Sequence, residues 1–299
     1  MILVTGITGQ SGKWLLKRLI AESEHKPELK VRAAVRDLTR VPTFEFGSLD
    51  IEFTIGDLFD TEFVDQAMIG VDTVLHLAGI GKSEIIIEAA LKQRVKWVIL
   101  VHTASIYSKY KAATLPYLKL ESKVSELLKG QNIDLTILRP TMIYGNINDG
   151  NISVFIKMVD KIKLFPVISG GNYPMQPVHE KDLGEAYFQL LSNASKTKNK
   201  NYVLSGKEPI SMIDVFKTIA SQLSKKPWFI SIPFPVAYLG AWFVYLLSFK
   251  KYDYRERTQR MVESRAYPHT DAATDFGYAP VSFSEGIRQE IASYLESKK

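Results

Sequence analysis

Eight residues near the start of the chain, Thr5-Gly6-Ile7-Thr8-Gly9-Gln10-Ser11-Gly12, constrain the fold more than any other feature. They follow an apolar strand-like run, Ile2–Val4. They precede a helical pattern over Lys13–Ala21, in which Trp14, Leu15, Leu16, Leu19 and Ile20 are apolar. A glycine triplet between a strand and a helix can cradle a phosphate. Gly6 permits the tight turn, Gly9 lets backbone approach a pyrophosphate, and Gly12 lets the helix pack close to the strand. The helix N-terminus then offers unpaired N–H groups and partial positive charge to the anion. The spacing is G-x-x-G-x-x-G, not G-x-G-x-x-G. It predicts a dinucleotide site built on Gly6, Thr8, Gly9, Gln10, Ser11 and Gly12.

The rest of the first half keeps the same rhythm. Strand-like runs are read at Val31–Val35, Ile51–Ile55, Thr73–Leu77, Trp97–Val101 and Leu135–Leu138. Helical patterns lie near Glu62–Met68, over Ser83–Arg94 and over Tyr117–Lys129. Alternation of continuous apolar strands with helices predicts a parallel sheet covered on both faces. The second half is looser. It has helices at Ile152–Ile162, Asp182–Leu191, Ser211–Leu223 and Phe283–Leu295 and a strand at Tyr202–Leu204. The expected fold is α/β, a Rossmann doubly wound parallel sheet with a smaller, mainly helical C-terminal substrate lobe. The nucleotide domain is assigned to residues 1–150, completed by segments within 175–205. The lobe is assigned to 151–174 and 206–299.

Composition narrows the chemistry. With 299 residues and 46% hydrophobic content, the chain can bury a substantial core. It has no cysteine, which excludes disulfides, thiolate metal sites and a cysteine nucleophile. That absence fits a reducing compartment, and a cytoplasmic location is expected. Met1–Val4 is too short for a signal peptide. The net charge of +6 is read as lysines on a solvated surface, which suits an anionic cofactor or substrate better than nucleic acid. The five histidines show no metal-ligand spacing, so no metal is expected. His76 and His102 are read as hydrogen-bonded histidines at strand ends.

The end of the second strand, Ala34-Val35-Arg36, carries a further signal. An acidic residue there accepts a ribose 2′-hydroxyl, whereas arginine accommodates a 2′-phosphate. Arg36, with Arg40 nearby, points to NADP, with NAD as the alternative. A solvated basic loop is the plainer explanation.

Several motifs together resemble the short-chain dehydrogenase/reductase superfamily. The closest branch is extended or atypical: the NAD-dependent epimerase/dehydratase and NmrA-like proteins. Thr5–Gly12 resembles its TGxxGxxG loop. Gly56-Asp57-Leu58 resembles the acidic dipeptide after strand three, which implies that Asp57 and Leu58 border the adenine. Leu75-His76-Leu77-Ala78-Gly79 resembles the end of strand four that lies along the cofactor, which implicates Leu77, Ala78 and Gly79. Leu138–Gly145 resembles the RPxxxYG segment, which brings in Pro140 and Ile143. Pro177–Leu183 resembles the VHxxDl segment.

The resemblance also implies catalytic positions. Val101–Tyr107 resembles the strand-five segment, with Thr103 at a hydroxyl position. Pro116-Tyr117 resembles the start of the catalytic helix, which makes Tyr117 the acid/base. The family has a lysine four residues beyond, and here Glu121 stands there. On a helix that residue lies one turn on, over the tyrosine. A cation would lower the phenol's pKa, whereas a carboxylate would raise it. Tyr107 and Lys111 also have Y-x-x-x-K spacing, but Ala112–Pro116 reads as loop.

The resemblance therefore implies an NAD(P)-dependent oxidoreductase or epimerase acting on a carbonyl or hydroxyl substrate, such as a nucleotide sugar or a quinone. Thr103 would position that group and Tyr117 would exchange its proton. The alternative is an NmrA-like regulatory protein that binds NADP without catalysis, as either monomer or homodimer. One stretch stays outside both. Trp228–Phe249 is aromatic and uncharged but broken by Pro233 and Pro235, which leaves roughly 14 residues against the roughly 20 of a membrane span. Its aromatic residues are read as core packing of the second lobe. Lining of an apolar pocket and peripheral membrane contact are the alternatives.

Overall fold

A computed structural model describes residues 1–26, 28–41 and 45–298. Residues 2–140 alternate as β1 (Ile2–Thr5), α1 (Gln10–Ser23), β2 (Lys30–Val35), β3 (Asp50–Ile55), α2 (Thr61–Ala67), β4 (Thr73–His76), α3 (Ser83–Lys92), β5 (Trp97–Val101), α4 (Lys111–Leu127) and β6 (Asp134–Pro140). Shorter pieces follow: β7 (Ile143–Tyr144), α5 (Ile152–Lys161), β8 (Leu164–Ile168), β9 (Pro174–Met175), β10 (Val178–His179), α6 (Glu180–Ser192), α7 (Ala194–Thr197) and β11 (Asn201–Leu204). The chain ends with β12 (Ile210–Ser211), α8 (Met212–Gln222), β13 (Trp228–Ile232), α9 (Phe234–Leu247), α10 (Arg255–Arg260), α11 (Thr270–Phe276) and α12 (Phe283–Glu296).

Seven strands form one parallel sheet in the order β11-β6-β5-β4-β1-β2-β3. The chain first travels outward from β1 to β3. It then returns to lay β4 on the other side of β1. That reversal opens a crevice at the carboxyl ends of β1 and β4, where open α/β sheets bind ligands. The strands alternate faces as the pleat requires. Val4, Leu75 and Ile99 pack with Leu15, Leu16 and Leu19 of α1 and Leu183 of α6. Leu3, Val74 and Val98 pack on the opposite face with Val64, Ile86 and Val124. A third apolar cluster joins α5, α8 and α12 around Phe165, Phe216 and Ile287. Phe276 and Tyr278, late in the chain, pack back onto the first cluster.

Two local expectations are corrected. Ala112–Pro116 is helical, not loop, so α4 begins at Lys111 with Pro116 inside it. The proline removes the N–H that would meet the Ala112 carbonyl, but Ala112 is exposed and water can serve that oxygen. The aromatic stretch is mostly not core: Phe229 packs against Phe165 and Phe216, but the helix that follows does not. Within α9 only Ala241 is buried, and Trp228, Trp242 and Phe243 stand in solvent.

A buried carboxyl pair ties α12 to the loop before α5. Asp149 Oδ1 accepts from the Asn151 and Ser153 N–H groups at 2.6 and 3.1 Å, and Glu290 Oε2 accepts from the Gly145 N–H at 3.0 Å. Asp149 Oδ2 and Glu290 Oε1 are both buried with no donor. A proton between the two carboxyls satisfies both. Burial, reinforced by Asp149, pushes the Glu290 pKa up from its ordinary 4.5 to about 9. Between those values the folded protein keeps a proton that the unfolded chain has released. Stability from this group is complete below about pH 4.5 and is lost as the pH rises toward 9. Glu290→Gln, which supplies a permanent donor, is expected to match wild type in thermal unfolding near pH 4.5 and to exceed it increasingly toward pH 9. A constant difference across that range would refute the shared proton.

Candidate functional site

The crevice holds two clefts, one lined by Gly9 and the other by Gln10 at the N-terminus of α1. The first, about 240 Å³, is lined by Gly6, Thr8 and Gly9 from the glycine loop, and by Arg36 and Arg40 beyond β2. Asp57 and Leu58 beyond β3, and Leu77, Ala78 and Lys82 beyond β4, complete it. The second, about 400 Å³, takes Gln10, Thr103, Ser105, Pro140 and Ile143 from the sheet side. Its far wall carries Gln176, Arg260, Arg265 and Tyr267.

The glycine loop fits a dinucleotide pyrophosphate. Gly6 sits at φ +78°, and a Cβ there would lie 2.8 Å from the Ala78 nitrogen. A Cβ on Gly12 would lie 2.3 Å from the Gly6 carbonyl oxygen. Gly9 caps α1 without any side-chain hydrogen bond, and the first helical turn holds no acidic residue. Its N–H groups are therefore left for an anion. Ser11 is turned away, with its hydroxyl 3.3 Å from that of Tyr187.

His76 braces this loop from beneath. Its Nδ1 accepts from the Thr5 hydroxyl at 2.7 Å, and its Nε2 donates to the Gly79 carbonyl at 3.0 Å. Full burial holds its pKa down to about 4, so the ring is neutral and this tautomer satisfies both nitrogens. The histidine thereby sets the turn at Gly79, whose φ is +105°.

Arg36 and Arg40 flank the place expected for the adenine ribose. The acid between them does not compete. Asp37 accepts from the Thr39 N–H at 2.8 Å and the Thr39 hydroxyl at 2.6 Å, and these bonds lower its pKa. Asp57, at the end of the neighbouring β3, lines the same cleft, and its Oδ1 accepts from the Phe59 N–H at 3.0 Å.

The second cleft sorts the expected catalytic residues. Thr103 lines it. Its Oγ1 accepts the Ser105 N–H at 3.1 Å, which leaves its own O–H to donate. Tyr117 lies half-buried on α4 and lines neither cleft. Glu121 turns inward instead. It accepts from His102 Nδ1 at 2.8 Å and from Arg139 at 2.6 Å, and His102 Nε2 faces the Ser83 hydroxyl at 3.0 Å. Burial opposes ionisation of Glu121, but the bonds from His102 and Arg139 outweigh it and its pKa falls. The Tyr107 ring meets that of Tyr267 at a tilt of 47°, with centres 5.4 Å apart, and lies beneath the Arg139 guanidinium.

Sequence reasoning missed the far wall. Arg260 and Arg265 have no ion pair among the described residues, and the Nε of each is buried without a partner. Glu263, between them in sequence, accepts instead from the Ser108 hydroxyl and the Lys109 N–H, each at 2.8 Å. Burial and the neighbouring charge of Arg260 lower the pKa of Arg265. Glu263 still acts on Arg265 through its charge, but two guanidinium groups against one carboxylate leave this wall of the cleft cationic, which suits an anion.

Comparison with known proteins agrees with the fold and with nucleotide binding by its first half. Residues 6–161 match the family model described as NAD(P)H-binding. An N-acetyl-alpha-D-glucosaminyl-diphospho-ditrans,octacis-undecaprenol 4-epimerase of Escherichia coli O157:H7 is 23% identical over 334 aligned residues, covering 100% of this chain and 96% of that protein. The structure of a UDP-glucuronic acid 4-epimerase from Bacillus cereus in complex with NAD superposes with a TM-score of 0.76. It is 18% identical and covers 100% of this chain and 99% of its own. A UDP-glucose 4-epimerase of Thermotoga maritima, solved with UDP-glucose, gives 0.72 at 16% identity with the same coverage. At these identities the superpositions speak for the fold.

Proposed function

The chain belongs to the NAD(P)H-binding family, within the extended short-chain dehydrogenase/reductases, and on that premise we propose that it is an NADP-dependent epimerase or oxidoreductase of an anionic sugar diphosphate. The observation that carries the substrate class is the pair of arginines without an ion pair among the described residues, Arg260 and Arg265, in the cleft with Thr103. Both a nucleotide diphosphate and a polyprenyl diphosphate present the anion such a pair would clasp, and the similar proteins named above act on sugars of these kinds.

A bound nicotinamide supplies hydride transfer at C4. The chain's own residues do the rest. The glycine loop and the start of α1 hold the pyrophosphate. Arg36 and Arg40 hold the 2′-phosphate. Thr103 donates its free O–H to the reacting oxygen of the sugar, with Ser105 beside it. Tyr117 lines neither cleft, so it is given no part in the proton transfer.

A second reading rests on Glu121. Its carboxylate is committed to Arg139 and His102, so no cation stands one turn beyond Tyr117 at the position read from the sequence. That favours a cofactor-binding regulator without turnover.

Calorimetric titration with uridine diphosphate and UDP-glucose, wild type against Arg265→Gln, tests the proposal. Both ligands should bind, and the variant should lose about ten- to a hundredfold in affinity. Absence of binding, or equal binding by the variant, would refute the assignment of the cleft. Binding without either a change in nicotinamide absorbance or an epimerised sugar in the product, across a series of sugar diphosphates, would favour the regulator.

A further inference from the structure

Helix α9 contains 14 residues, Phe234–Leu247, and none is charged. A helix that is apolar all round belongs inside a core or a lipid phase. Here one side packs on the protein, through α10, with the Arg255 guanidinium 4.0 Å from the centre of the Tyr245 ring. The other side stands in water. Val236, Leu239, Phe243 and Leu246 are all exposed, and Leu247 is 79% exposed.

The apolar surface continues beyond the helix. β13 runs into α9 across a single residue, Pro233, and pairs with β8 so that exposed Trp228 lies beside exposed Leu164. At the other end, Phe249 and Lys250 hold φ of +51° and +68°. That left-handed conformation is unfavourable for residues with a Cβ. It keeps Phe249 at 95% exposure. Scattered exposed apolar residues are ordinary, but a continuous face of this kind marks a contact surface.

Charge identifies the occupant. Residues 225–252 contain four lysines and no acidic residue. Lys225 is paired with Asp160 at 3.2 Å. Lys226, Lys250 and Lys251 have no carboxylate partner among the described residues. They bracket the apolar stretch at both ends, and aromatic rings of the types that settle at headgroup depth (Trp228, Trp242, Tyr252) lie between and beside them. A second copy docking face to face would bring like charges together. At about 21 Å the helix is also shorter than a bilayer core of about 30 Å. Among the described residues no helix is long and apolar enough to cross a membrane.

From these features we infer that α9 and the outer face of β13 form an interfacial docking surface for an anionic lipid bilayer. The helix lies in the headgroup plane with its outer side in the acyl boundary and the lysines on lipid phosphates. The α10 helix on which α9 rests carries Arg260 of the second cleft, so docking sets the mouth of that cleft close to the bilayer.

Co-sedimentation of the full chain with sucrose-loaded vesicles tests this surface without reference to turnover. The chain should pellet with vesicles of phosphatidylcholine mixed with phosphatidylglycerol, remain largely in solution with phosphatidylcholine alone, and be released by salt. Lys250→Ala with Lys251→Ala should weaken binding about thirtyfold. Phe243→Glu with Leu247→Glu should abolish it while leaving thermal unfolding unchanged, since both side chains are exposed. The inference is overturned if the wild-type chain stays in solution with the anionic vesicles, or if the double glutamate variant still pellets. It is also overturned if the wild type is a dimer that this variant dissociates, because the face would then belong to a second copy.

Discussion

Glu121→Ala is expected to destabilise the fold by about 3 kcal/mol, the typical consequence of removing one partner from a buried ion pair. Glu121 lies between two groups that depend on it. Arg139 is 8% exposed and donates to its Oε2, while the His102 ring is fully buried and faces its Oε1. Truncation leaves the guanidinium without a counter-charge, and Arg139 Nε is already buried without a partner. With the pair largely out of solvent, screening discounts the effect little. Glu121→Lys, which restores the residue type that the family resemblance places one turn beyond Tyr117, is expected to be worse, because it would set a second cation against Arg139. Urea unfolding of wild type, Glu121→Ala and Glu121→Lys checks this order. Equal midpoints for wild type and the alanine variant would contradict the anchoring role and reopen the position for catalysis.

Gly12→Ala is expected to abolish cofactor binding and to destabilise the protein, whereas Gly9→Ala should abolish binding alone. The difference lies in what each added methyl would meet. At Gly12 it would lie 2.3 Å from the Gly6 oxygen and 2.7 Å from the Ile7 oxygen, both backbone atoms that move only if the turn between β1 and α1 opens. Such overpacking costs about 1–3 kcal/mol. At Gly9 the only close atom is the Gly6 oxygen at 3.0 Å, which a small shift relieves. The methyl there would still stand where backbone must approach the pyrophosphate. Cofactor fluorescence and thermal unfolding, measured on both variants, separate the two effects. If Gly12→Ala bound the cofactor normally, the loop would not be the cradle.

The nucleotide half of this chain was legible because its signals are local. Short apolar runs rich in β-branched and aromatic residues, such as Trp97–Val101, read as strands buried on both faces, and the glycines mark where β1 turns into α1. The start of α4 was not legible. A proline rule that holds for buried helices gives way where the orphaned carbonyl faces water, as at Ala112. Arg260 and Arg265 carried no recognisable spacing. They meet Thr103 only because residues 260–267 fold back across the ends of β5 and β6. At Trp228 and Phe243 the expectation of core packing fails for the opposite reason. Apolar character alone does not distinguish a core from a surface, and only the fold shows that α9 has one covered side. Glu121 was noticed from its sequence position, but its partners Arg139 and His102 come from β6 and the end of β5, beyond the reach of local pattern.

The central claim is that the first cleft holds a dinucleotide with a 2′-phosphate between Arg36 and Arg40. Fluorescence titration with NADPH and NADH, on wild type and on Arg36→Glu, tests it most directly. The wild-type protein should bind NADPH at least about tenfold more tightly than NADH, because a charge-assisted contact to the phosphate is worth roughly 1.5–3 kcal/mol. Arg36→Glu should reverse that preference without lowering the unfolding temperature, since Arg36 is exposed and has no bonded partner among the described residues. Tighter binding of NADH by the wild type, or binding of neither nucleotide, would contradict the account.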